Sequence, residues 1–77
     1  MRYRFMDGYE FEAETPDDIC IAIWHSMKFC LDRTLAEWMK GNAKMIRNMF
    51  GFRLRTDTTA NHVADMLRDG VIARVDA

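Results

Sequence analysis

One proline, one serine, two histidines and two cysteines are all that this 77-residue chain offers of the residues that most often break, acylate, ligate or cross-link. No run of apolar residues approaches the length that spans a bilayer, and the N-terminal stretch "MRYRFMDGYEFEAE" alternates apolar and charged groups where a signal peptide needs an unbroken apolar run. A soluble, cytoplasmic protein without a membrane partner is therefore expected. Cys20 and Cys30 stand ten residues apart in one helical pattern, roughly 15 Å along its axis, which is too far for a disulfide. They read as reduced core thiols, in keeping with a reducing compartment.

The same scarcity argues against chemistry. Cys20, His25 and Cys30 at five-residue intervals fan around a helix and do not converge as zinc ligands do. Ser26 is the only serine and stands beside His25, and adjacent helical residues point about 100° apart, so no nucleophile and base meet there. The histidines, His62 included, read as surface residues. No catalytic residue, metal or cofactor is expected.

What is present is a folding composition. An apolar fraction of 49%, with 12% aromatic residues, is far from that of a disordered chain, and the length allows one compact domain near the lower limit for a self-sufficient core. "RYRF" and "YEFEA" alternate with period two around "MDG", which predicts a β-hairpin. A two-residue turn would set Phe5 against Glu10. A three-residue loop with Gly8 in the left-handed region instead sets Tyr3 against Phe11 and Phe5 against Tyr9 on the core face. It also sets Arg2 against Glu12 and Arg4 against Glu10 on the other.

Three helices follow. "TPDDICIAIWHSMKFCLD" has Thr15 to cap it, Pro16 at its first position, and an apolar stripe through Ile19, Cys20, Ile23, Trp24, Met27, Cys30 and Leu31. "TLAEWMKGNAKMIRNMFG" has the capping-box spacing of Thr34 and Glu37, with Gly51 placed to end it. Its predicted buried face carries Leu35, Trp38, Met39, Ala43, Met45, Ile46, Met49 and Phe50. "DTTANHVADMLRDG" predicts a third helix with a stripe of Ala60, Val63, Ala64 and Leu67. "FRLRT" between the second and third helices, and "VIARV" at the end, read as short strands. The expected fold is α+β in the order ββααβαβ, with helices on one face of a small sheet and Phe5, Phe11, Ile23, Trp24, Met27, Trp38, Ile46 and Leu67 in one core.

Charge is distributed unevenly although the net charge is only -1. Between Met39 and Thr56 the chain carries Lys40, Lys44, Arg47, Arg53 and Arg55 and no carboxylate. Between Asp7 and Asp18 it carries Glu10, Glu12, Glu14, Asp17 and Asp18 and no cation. Helical spacing puts Lys40, Lys44 and Arg47 on one outward stripe. Such poles steer a small domain onto a larger protein or protein complex. Stand-alone domains of this size include accessory and inhibitory factors of phages and mobile elements, anti-CRISPR proteins among them. The leading expectation is thus a non-catalytic interaction protein, with a nucleic-acid-binding regulator using the basic helix face as the alternative. Ile21 and Phe29 fall off the core stripe of the first helix and form a candidate apolar interface, through which a homodimer is also expected.

Overall fold

The computed structural model describes residues 1–27 and 34–75. Two strands, β1 (Arg2–Phe5) and β2 (Glu10–Glu12), are followed by helices α1 (Pro16–Ser26), α2 (Leu35–Phe50) and α3 (Thr59–Arg68), and by strand β3 (Ile72–Arg74). The domain is α+β, with an antiparallel sheet in the order β2-β1-β3. The expected positions at Phe29, Cys30 and Leu31 lie outside the described residues.

The hairpin register follows the side-chain pattern. Tyr3 pairs with Phe11, Arg4 with Glu10 and Arg2 with Glu12. Gly8, at φ 96°, turns the loop in a conformation that a Cβ would strain. The Phe5 amide donates to the Tyr9 carbonyl at 2.8 Å, yet the Tyr9 ring is exposed and stacks on Phe11 at 5.6 Å. The covered face of the sheet ends at Phe5 and Phe11, so Tyr9 is not a core residue.

Side-chain caps start every helix. Thr15, Thr34 and Thr58 accept from the amides of Asp18, Glu37 and Asn61, each at 3.1 Å, relieving amides that a first turn leaves unpaired. Gly51, left-handed at φ 78°, closes α2 as its position predicted. The core unites Tyr3, Phe5 and Phe11 from the sheet with Ile23, Trp38, Ile46, Met66 and Ile72, and Trp24 and Met27 pack on it half-buried.

Further expectations are corrected. "FRLRT" is no strand: the Arg55 amide donates to Asp65 at 2.8 Å and its carbonyl is bonded to His62 at 2.8 Å, so side chains occupy the groups a sheet ladder would use. Helix α3 buries His62, Val63, Asp65 and Met66, while Ala60, Ala64 and Leu67 face outward. Those two polar side chains turn the helix by about one residue from the expected stripe, and His62 is a core histidine. On α2, Asn42 is buried and the last turn leaves Met49 and Phe50 exposed, because the helix runs on past the elements that cover its centre. The expected core place of Leu67 belongs to Met66. Leu67→Gln is accordingly expected to change stability by no more than about 0.5 kcal/mol. A urea melt showing a loss several times larger would return Leu67 to the core.

Candidate functional site

The cations of α2 and those of the connection between α2 and α3 meet across one concavity. Lys40, Ala43, Lys44, Arg47 and Asn48 form one wall, Arg53, Leu54 and Thr56 the other, and the open cleft between them measures about 630 Å³. Capping at Thr34 and burial of Trp38, Asn42 and Ile46 set the phase of α2, and that phase turns Lys40, Lys44 and Arg47 outward together. Leu54, buried, pins the opposite wall to the core while Arg53 beside it stays exposed. The sequence foresaw the helical stripe, and tertiary structure adds Arg53 to it.

Among the described residues, ion pairs engage Arg2, Arg4, Arg55, Arg68 and the Met1 amino group, and none engages Lys40, Lys44, Arg47 or Arg53. Four cations around one hollow without a carboxylate between them repel one another, and an anion entering the hollow relieves that repulsion.

Arg55, expected among the contact cations, is committed elsewhere. Its guanidinium reaches Asp65 at 3.0 Å and 3.1 Å, and Arg68 adds a contact at 3.2 Å to the same carboxylate. The Arg55 side chain and amide hold the Asp65 carboxyl down at about 2. Asp65 was missed because a charged residue inside a helical stripe reads as outward-facing. The available signal was that Val63 pairs with Met66 at three residues as well as with Leu67 at four.

The acidic edge is largely neutralised within the fold. Glu10 meets Arg2 at 3.1 Å and Arg4 at 3.7 Å, Glu12 meets Arg2 at 3.8 Å, and Glu14 meets the Met1 amino group at 3.5 Å. Asp17 accepts from the Thr59 hydroxyl, and with Asp18 it occupies the first turn of α1, where carboxylates suit the helix dipole. Ile21 is exposed, and Phe29, its expected companion, lies outside the described residues.

Behind the cleft, the buried face of α2 carries Asn42, whose Nδ2 lies 3.0 Å from His62 Nε2. The His62 ring also meets Trp38 edge-on at 5.7 Å. Cys20 is fully buried, and burial pushes its thiol up to about 12, which makes it a poor nucleophile. Among the described residues no three of His, Cys, Asp and Glu gather as metal ligands do, and no helix is long and apolar enough to cross a membrane. No family model, curated protein or solved structure matches this chain.

Proposed function

We propose that this protein is a non-catalytic interaction module that docks on an acidic surface of a larger protein through the Lys40, Lys44, Arg47 and Arg53 cleft. The observation that carries this reading is the asymmetry of charge: among the described residues no carboxylate pairs with the cleft cations, whereas Glu10, Glu12 and Glu14 are paired at home. Met49 and Phe50 add exposed apolar surface to the helix turn that bears Arg47 and Asn48, and an apolar anchor beside arginines is the usual makeup of an interface hot spot. An accessory or inhibitory role of the phage or mobile-element kind suits a domain that covers a partner's surface and brings no chemistry of its own.

One observation favours nucleic acid as a second reading. Exposed Phe50 stacks on half-buried Phe52 at 5.8 Å next to Arg53, and an exposed aromatic beside cations offers a platform for an unpaired base. Titration with labelled duplex and single-stranded oligonucleotides, at low and at physiological salt, separates the two. Protein docking predicts no oligonucleotide binding that survives physiological salt. It also predicts that a purified protein partner associates at least about tenfold more slowly with the Lys40→Glu, Lys44→Glu, Arg47→Glu variant, since such charges steer encounter. Micromolar oligonucleotide binding at physiological salt, lost in that variant while it remains folded, would make nucleic acid the correct partner.

A further inference from the structure

We propose that the hydrogen bond between Asn42 and His62 is a tie across the domain that holds the cationic cleft in its present form only while His62 is neutral. For the docking function proposed above, on which this consequence rests, acidification would loosen the grip on an acidic partner.

His62 Nδ1 lies 2.8 Å from the Arg55 carbonyl, which can only accept, so Nδ1 carries the proton. In the neutral ring Nε2 is then an acceptor, and the Asn42 amide nitrogen donates to it at 3.0 Å. The two ends of this relay belong to opposite walls of the cleft. Asn42 is on α2, whose outer side bears Lys40, Lys44 and Arg47, and Arg55 stands between Leu54 and Thr56. Arg55 is also clamped to Asp65 by its amide and guanidinium, so the connection and α3 form one unit. Apart from a 3.6 Å contact from Asn42 to the Met66 sulfur, the relay is the polar link from that unit to α2 among the described residues.

Protonation would place a second N–H on the ring, aimed at the Asn42 amino group, donor against donor. Among the described residues the buried Asn42 amide oxygen has no hydrogen-bond partner, and with the nitrogen facing His62 the amide is not turned to receive that proton. Among the described residues no neighbouring carboxylate is free to compensate: burial outweighs the charge of Asp65, which favours the imidazolium. On α3, Asp65 already serves Arg55 and Arg68, and the connection presents Arg55, itself a cation. The inward face of α2 presents Asn42 and Trp38, with its cations turned outward. From α1, Cys20 stays protonated and Asp17 is held by Thr59. Burial accordingly lowers the His62 pKa from its ordinary 6.5. The folded state prefers the neutral ring, so this contribution to stability is complete above 6.5 and is lost as pH falls below it.

NMR of the unliganded protein, followed from about pH 7.5 to about pH 5, where histidines titrate, tests the tie independently of any partner. The expected result is a His62 midpoint below 6.5, with the amides of Ala43, Lys44 and Arg47 shifting at the same midpoint. The Arg55 amide, held by Asp65, should stay in place. Cleft amides that do not move while His62 titrates, or a His62 that stays neutral throughout, would overturn the proposal. Asn42→Asp supplies a carboxylate to receive the second N–H, so the His62 midpoint should rise above 6.5 and the cleft amides should lose their response. An unchanged midpoint in that variant, or an unchanged cleft response in His62→Asn, would also overturn it. Failure of the docking reading shows separately, as unaltered partner association in the triple charge reversal.

Discussion

Trp38→Ala is expected to cost about 3–5 kcal/mol, the usual range for deleting a large aromatic from a core that cannot collapse into the space. Trp38 is 1% exposed. It touches three parts of the molecule: its indole nitrogen lies 3.3 Å from the Met27 sulfur after α1, its ring meets His62 of α3, and its backbone belongs to the first turns of α2. The void would therefore open where all three helices converge. Loss on that scale would take much of the stability of a domain this small, since native domains are stable by only about 5–15 kcal/mol in all. Chemical denaturation of the variant checks it, and a midpoint near that of the parent would mean that α2 is rotated from the phase described and that the cleft cations do not share one face.

Asp65→Ala should be the next most damaging change, at about 2–3 kcal/mol, because it removes the acceptor of a backbone amide together with charged hydrogen bonds. The proposed docking should weaken as well, since Asp65 fixes Arg55 and thereby the wall that carries Arg53. Its pH signature is distinct from that of His62. Pairing depresses the Asp65 pKa from 3.8 to about 2, so the folded state favours the carboxylate. That contribution is complete above 3.8 and disappears as pH falls through about 2. Acid unfolding of the parent should show this limb, and Asp65→Ala should flatten it. An acid profile identical in the two proteins would show that the clamp does not contribute to stability.

These two substitutions also mark where reading the chain locally stops working. Trp38 could be placed from its own helix, because an apolar stripe of period 3.6, a capping box and a terminal glycine all agree on one phase. Asp65 could not, because a carboxylate goes inward only if a partner waits for it, and that partner is ten residues back in a segment whose own pattern suggested a strand. The same dependence moved Leu67 out of the core and His62 into it.

The sequence by itself determined the hairpin register, the helix starts at Thr15 and Thr34, the outward stripe of Lys40, Lys44 and Arg47, and the α+β class. Each follows from side-chain periodicity or from bonds spanning a few residues, and such interactions keep their sign wherever the element is finally packed. Only tertiary structure decided that Arg53 joins the cationic cleft while Arg55 leaves it, that the connection before α3 has no ladder, and that Asn42, His62 and Asp65 are buried. Burying a polar group is unfavourable until its hydrogen bonds are met, and here the groups that meet them come from other elements, brought within reach only when α2, the connection and α3 close on one another.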